Sequence, residues 1–244
     1  MELWGITDSG KVRQHNQDVY KTLIHEDKNT AILVVCDGIG GANAGNIASE
    51  MAADKFIEYI QQHLDEISDQ REIAENMTEA VLSANIAVFD KSLFEAELRG
   101  MGTTLAAAIS TDDGEVIANI GDSRVYHISN NEINQITKDH SVVEDMIDKG
   151  EITRSEAGRH PSKNYITRAL GTGIYDPPDI FFLNLLSGDF ILLCSDGLSD
   201  MVTDEEILSE LKRGNTVRES CEVLVDLALS RGAPDNVTAV IFKK

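Results

Sequence analysis

The sequence predicts an α+β fold built on antiparallel strands, and three observations carry that prediction. Short apolar runs rich in β-branched residues are bounded by turn dipeptides. Two long segments in the first half place apolar residues at helical spacing. The middle of the chain reads strand, turn, strand, turn, with no helix between.

Taken in order, residues 2–7 and 18–25 read as strands separated by the polar loop Asp8 to Gln17, and Asp27-Lys28-Asn29 turns the chain into the next strand. That strand, Ala31-Ile32-Leu33-Val34-Val35-Cys36, has no polar break and reads as buried on both faces. The following Asp37-Gly38-Ile39-Gly40-Gly41 reads as the point where the chain leaves the sheet. Asn46 to Ile67 carries Ile47, Met51, Phe56, Ile60 and Leu64 at helical spacing, and Glu72 to Leu98 repeats the pattern with Ile73, Met77, Val81, Val88 and Phe94. Gly102 to Ile109 is a strand of small residues, and Asp112-Asp113-Gly114 turns it into Val116–Ile120. Gly121-Asp122-Ser123-Arg124 interrupts before a strand from Val125 to Ile128, and Asn130-Asn131 turns into a strand near Ile133–Ile136. Ser141 with Glu144 forms a capping box that opens a short helix to Lys149. Gly150 to Lys163 lacks periodicity and reads as an irregular excursion. Strands near 180–185 and 189–195, helices near 203–212 and 216–230, and a strand Val237–Phe242 complete the chain.

Composition narrows the function classes. The 244 residues, 42% of them apolar, suit one packed domain, and the net charge of −21 opposes contact with nucleic acid or anionic lipid. No apolar run approaches a membrane span and the N-terminus lacks the pattern of a signal peptide, so a cytoplasmic protein is expected. Cys36, Cys194 and Cys221 form no CxxC pair, and the first two fall in apolar strands, where a thiol behaves as a small hydrophobe and not as a nucleophile.

The residues singled out for chemistry are aspartates. Asp37 and Asp196 each follow a wholly apolar run and precede glycine, and Asp18, Asp122 and Asp235 also stand at strand ends beside Gly, Asn or Pro. Clustered carboxylates repel unless cations hold them together, and an all-oxygen set selects hard ions such as Mg²⁺ or Mn²⁺. Two such ions activate water for in-line displacement at phosphorus. Asp-Gly is also a common turn dipeptide, so five unrelated turn aspartates remain an alternative at this point.

Six motifs together bear a resemblance. Arg13-Gln14-His15-Asn16-Gln17-Asp18, Asp37-Gly38-Ile39-Gly40-Gly41, Gly102-Thr103-Thr104, Gly121-Asp122-Ser123-Arg124, Ser195-Asp196-Gly197-Leu198 and Asp235-Asn236 resemble, in order and spacing from residue 3 to 242, the bacterial metal-dependent serine/threonine protein phosphatases of the PPM family. The resemblance implies two antiparallel sheets packed as a sandwich and flanked by helices, one catalytic domain over 1–244, and a flap segment at about 142–165. It implies a Mn²⁺ or Mg²⁺ centre in which Asp37 bridges two ions, the Gly38 carbonyl and Asp18 complete one, Asp196 and Asp235 hold the other, and Asp122 with Asp196 takes a third. Arg13 would hold the substrate phosphate. The implied activity is hydrolysis of phosphoserine and phosphothreonine by activated water, without a phospho-enzyme, on phosphorylated proteins that include targets of a cognate kinase.

Two positions depart from the family pattern. Gln17 stands where many members carry Glu, which makes one water-mediated contact to a metal neutral. Ile39 stands where eukaryotic members carry a proposed general-acid His, which leaves His160 or metal-activated water as candidates, with His160 also a candidate for substrate binding. His140, in Thr137-Lys138-Asp139-His140-Ser141, reads as structural. A pseudophosphatase that only binds, and a phosphatase dedicated to one regulatory partner, are the rival functions. Residues 149–168 carry Lys149, Arg154, Arg159, Lys163 and Arg168 against Glu151 and Glu156. This basic stretch either attracts a phosphorylated segment or offsets neighbouring acidic helices.

Overall fold

The computed structural model describes residues 1–40, 44–64, 69–129, 131–173 and 177–244; Gly41, Ile67 and Asn130, placed above in a loop, a helix and a turn, lie outside them. In chain order the strands are β1 (Glu2–Asp8), β2 (Asp18–His25), β3 (Thr30–Ile39), β4 (Gly102–Thr103), β5 (Leu105–Thr111), β6 (Gly114–Ile120), β7 (Arg124–Ser129), β8 (Glu132–Gln135), β9 (Asp179–Leu183), β10 (Phe190–Cys194) and β11 (Val237–Lys243). The helices are α1 (Ala44–His63), α2 (Gln70–Phe94), α3 (Val142–Asp148), α4 (Arg154–Ala157), α5 (Asp196–Ser199), α6 (Asp204–Leu211) and α7 (Val217–Ser230).

Two antiparallel sheets form, as the resemblance implies. One runs β1-β11-β10-β7-β8 and the other β2-β3-β5-β6-β9, with β4 paired to the end of β3. Alternation along the strands sorts their side chains into separate layers. Ala31, Leu33 and Val35 of β3 meet Ile191, Leu193, Val240 and Phe242 of the other sheet in the central layer. The intervening Ile32, Val34 and Cys36 pack under Phe56, Ile60, Ile73 and Met77 of α1 and α2. On the opposite side Tyr126, Leu192, Cys194, Ala239 and Ile241 pack under Ile207, Cys221 and Leu224 of α6 and α7. The result is an α-β-β-α sandwich in which β3 is buried on both faces, because one face meets a sheet and the other a helix pair.

Four local readings change. β3 does not leave the sheet at Asp37 but continues through Ile39, with Gly38 paired to Thr103 and Ile39 to Gly102. Gly38 permits this: a Cβ there would sit 2.1 Å from the Gly45 carbonyl oxygen, so only glycine lets α1 approach the strand. The small-residue strand divides at Thr104, whose N–H donates to the Asp37 carbonyl and whose Oγ1 accepts from the Asp37 N–H, each at 2.9 Å. The excursion contains one helical turn, α4, closed by a Thr153/Glu156 capping box too short to show a period in sequence. Of the box expected at Ser141/Glu144 only half forms: Ser141 Oγ accepts from the Glu144 N–H, while the Glu144 carboxylate turns to Arg154. Complete boxes at Thr203/Glu206 and Thr216/Glu219 start α6 and α7 near the expected positions.

Candidate active site

In an antiparallel sheet the end of one strand lies beside the start of the next, so residues far apart in sequence collect at one end of the sandwich. Asp18 opens β2 and lies directly opposite Asp37 in β3. Asp196 follows β10 as the first residue of α5, and Asp235 precedes β11. Asp122 occupies the corner where the chain crosses from β6 in one sheet to β7 in the other. A cleft of about 210 Å³ is lined by Arg13, Gln17, Asp37, Gly38, Asp122, Asp196 and Asp235, together with Ile39, Thr104, Asn164, Ile166 and Asn236. Asp18 lies beneath it, 4% exposed.

Each acid is held by partners that no sequence period announces. Asp18 Oδ2 accepts from Ser195 Oγ at 2.6 Å and from Thr238 Oγ1 at 2.7 Å, bonds that tie the two sheets together. Thr104 Oγ1, which braces Asp37, is also 2.7 Å from Ser123 Oγ beside Asp122. Asn236 accepts from the Gln17 N–H at 2.8 Å and donates to the Ser9 and His15 carbonyls at 3.0 Å, which fixes the Arg13 loop over the end of the sheet. Arg13 Nη2 donates to Asp235 Oδ2 at 2.7 Å, and this bond holds the guanidinium more firmly protonated. Ser195 had a faint signal, as a hydroxyl beside Asp196, and Thr238 another, as a buried polar residue in an otherwise apolar strand. Asn164 had none.

The electrostatics are strained in one direction. Burial, then Asp18, Asp196, Asp122 and Asp235, raise the Asp37 pKa well above the carboxylate range. Burial and then Asp122 do the same to Asp196. Burial lifts Asp18 to about 6 against the opposing hydroxyl bonds, and burial with Asp139 lifts Asp122 to about 6. Like charges facing each other across a ladder, as Asp18 and Asp37 do, destabilise it.

His160 is not brought into the cleft. Its Nδ1 accepts from the Ser162 N–H at 3.2 Å, a local turn contact. Of the basic residues beside the site, Lys163 pairs with Asp200 at 2.6 Å, Arg154 with Glu144 at 2.6 Å and Arg168 with Asp179 at 2.8 Å. Burial pushes the Cys194 thiol up to about 12 and raises that of Cys36, so neither serves as a nucleophile at neutral pH.

Residues 10–227 match the family model described as protein phosphatase 2C. The chain belongs to that family. Over 238 residues it is 37% identical to the serine/threonine phosphatase stp of Listeria monocytogenes, covering 98% of this chain and 94% of the relative. Its structure matches serine/threonine phosphatase Stp1 of Staphylococcus aureus with a TM-score of 0.92 at 35% identity, covering 100% of this chain and 94% of the other. It also matches the catalytic domain of serine/threonine protein phosphatase PstP in complex with two manganese ions, with a TM-score of 0.83 at 36% identity, covering 98% and 96% of the two chains. Protein phosphatase 2C members are metal-dependent enzymes.

The residues at this cleft fit such cations. Asp18 Oδ1 and Asp196 Oδ1 are buried with no hydrogen-bond partner, an arrangement that costs about 1–3 kcal/mol or more per group unless something binds there. The potential ligands that line the cleft, Asp37, Asp122, Asp196 and Asp235, all offer oxygen, and no His or Cys lines it. Among the described residues no three His, Cys, Asp or Glu side chains close round one point; the acids line a cleft, and their repulsion is what a cation relieves. No helix among the described residues is long and apolar enough to cross a membrane.

Proposed function

We propose that this chain is a phosphoprotein phosphatase that hydrolyses phosphoserine and phosphothreonine at a binuclear Mn²⁺ or Mg²⁺ centre. Asp18, Asp37, the Gly38 carbonyl, Asp196 and Asp235 would hold the two inner ions, and Asp122 with Asp196 a third, outer one. The observation that carries the reading is the pair of buried, partnerless oxygens, Asp18 Oδ1 on the strand residue opposite Asp37 and Asp196 Oδ1 on a residue that lines the acidic cleft. When bound, two divalent cations supply an activated water as nucleophile and offset the charge that develops on the phosphoryl group.

The chain's own residues do the rest. Ser195 and Thr238 commit one oxygen of Asp18 to structure and leave the other for a ligand. Thr104 holds the Asp37 backbone on both its N–H and its carbonyl, so that the carboxylate is presented from a fixed strand. Arg13 lines the cleft with a planar fork of donors, of which one engages Asp235 and others are suited to a phosphate. Residues 1–244 would act as one catalytic unit, with 142–165 as a flap beside the cleft, on phosphorylated proteins including those modified by a cognate kinase.

The test is hydrolysis of p-nitrophenyl phosphate and of a phosphothreonine peptide with Mn²⁺, with Mg²⁺, and after chelation. Turnover should require added cation. Full activity in chelated protein overturns the metal reading, and binding of the phosphopeptide with no turnover under any cation identifies a pseudophosphatase.

A further inference from the structure

The residue that precedes Asp122 is held from several sides. Gly121 has φ of +105°, and a Cβ there would lie 2.5 Å from Thr104 Cγ2, so the corner is packed on the residue that braces Asp37. Its carbonyl accepts from the His140 N–H at 2.9 Å and from Asn119 Nδ2 at 3.3 Å. Its N–H donates to His140 Nδ1 at 3.0 Å.

That last bond fixes the state of the ring. A backbone N–H can only donate, so Nδ1 carries no proton and the neutral imidazole keeps its hydrogen on Nε2. Nε2 lies 3.1 Å from Asp179 Oδ2, which accepts that hydrogen. Arg168 Nη1 is 2.8 Å from Nε2 and 2.8 Å from Asp179 Oδ1; as a donor facing a protonated nitrogen, it bonds to the carboxylate. The His140 carbonyl accepts from the Thr167 N–H at 2.8 Å. One residue, only 8% exposed, thus joins the start of β9, the returning limb of the excursion and the Gly121-Asp122 corner.

We propose that His140 is a positioning residue for Asp122, holding that carboxylate at the outer cation site through the Gly121 N–H; this rests on the reading of Asp122 as a ligand. Asp179 orients the ring, the ring orients the corner, and the corner carries the acid. Partners that orient a metal ligand in this way change metal affinity by about 10–100-fold when lost.

Two substitutions separate the ring's functions. His140→Asn places an oxygen close to where Nδ1 stands and keeps an acceptor for Gly121, whereas His140→Gln reaches toward Asp179 and leaves the Gly121 N–H without its acceptor. Amide hydrogen exchange of Gly121 is followed by NMR in the metal-free protein, and Mn²⁺ binding is titrated by calorimetry with Asp122→Ala in parallel. In His140→Gln, Gly121 should exchange faster and the outer ion should bind about tenfold more weakly while the inner ions are retained. His140→Asn should return both toward wild type. Unchanged Gly121 protection in His140→Gln overturns the clamp. Faster exchange with wild-type affinity for the outer ion, in a series where Asp122→Ala loses that ion, overturns the positioning role alone. Wild-type Mn²⁺ binding by Asp122→Ala removes the ligand reading, and the proposal with it. The wild-type protein offers a check that no folding defect can spoil: the two-bond ¹⁵N–¹H spectrum of His140 should show the Nε2–H tautomer, and the Nδ1–H tautomer overturns the proposal.

Discussion

The carboxylate cleft and the basic excursion beside it, residues 149–168, use charged side chains to opposite ends. At the cleft five carboxylates of one sign converge, with Arg13 paired to Asp235, and the bonds that hold the two acids carried on strands come from neutral hydroxyls and backbone groups: Ser195 and Thr238 on Asp18, Thr104 on Asp37. In the excursion the charges are opposite in sign and mostly exposed, and their ion pairs join backbone bonds, such as Thr167 N–H to the His140 carbonyl and Val142 N–H to the Tyr165 carbonyl, in tying the segment down. Lys163 and Asp200 meet with both side chains 37% exposed. An exposed pair of that kind contributes about 0–1 kcal/mol. The cleft is therefore rigid and electrostatically unfavourable, a combination that serves cation binding. The excursion has its charges matched by neighbours, and its exposed ion pairs add little to its fastening.

The comparison breaks most visibly at Asp37. Asp37→Ala should bring cation-dependent hydrolysis to background and weaken binding of the inner ions, measured by steady-state assay and Mn²⁺ calorimetry. Retained turnover would mean that the buried acid at the centre of the cleft is not part of the machinery.

The unfavourable charge of the cleft should be measurable without any substrate. Asp18 and Asp122, at about 6, and Asp37 and Asp196 all have folded-state pKa values above that of an unfolded Asp. Between about pH 4 and pH 6 the folded chain therefore binds protons that the unfolded chain has released, so stability falls as pH rises through that window. Metal-free protein should melt lower at neutral pH than at about pH 5, and saturating Mn²⁺ should remove the drop by favouring the ionised acids. Asp37→Asn should flatten the metal-free profile. A flat wild-type profile would show that the acids do not keep their protons.

Arg13 tests the boundary between the regions, since it is half-exposed yet paired with an acid of the cleft. Arg13→Ala should raise KM for p-nitrophenyl phosphate about 10–100-fold, the scale of one or two charge-assisted hydrogen bonds, and lower kcat less. The reverse split would assign Arg13 to the transition state.

The smallest effect belongs to the excursion. Arg159 is exposed with no acidic partner among the described residues, while Lys163 is already paired. Arg159→Ala with Lys163→Ala should lower kcat/KM for phosphopeptides about two- to fivefold, as expected for surface charges, and leave aryl phosphate hydrolysis and stability nearly unchanged. Equal losses on both substrates would indicate that the segment has shifted as a whole, and no loss on either would leave Arg159 an ordinary surface cation.

Of the two possibilities open for the basic stretch, the structure gives Arg154, Lys163 and Arg168 to neighbouring acids. That division was invisible in the sequence because Glu144, Asp200 and Asp179 lie outside residues 149–168. His160 likewise looked available only because its capping contact with Ser162 carries no sequence signature.

The sequence by itself determined what depends on local period and local chemistry. The unbroken apolar run Ala31–Cys36 required a strand covered on both faces, and the spacing in α1 and α2 required helices with one buried side. It also put five aspartates at the ends of elements. Only the tertiary structure decided that β3 continues through Asp37, because the approach of Gly45 to Gly38 is a contact between a helix and a strand. Only the tertiary structure decided which oxygens of those aspartates are committed and which stay bare: Ser195 and Thr238 reach Asp18 from 177 and 220 residues away. A pattern read along the chain reports how one element faces its surroundings, whereas the bonds that aim a carboxylate are made where two sheets meet, and their partners share no spacing that a single sequence could reveal.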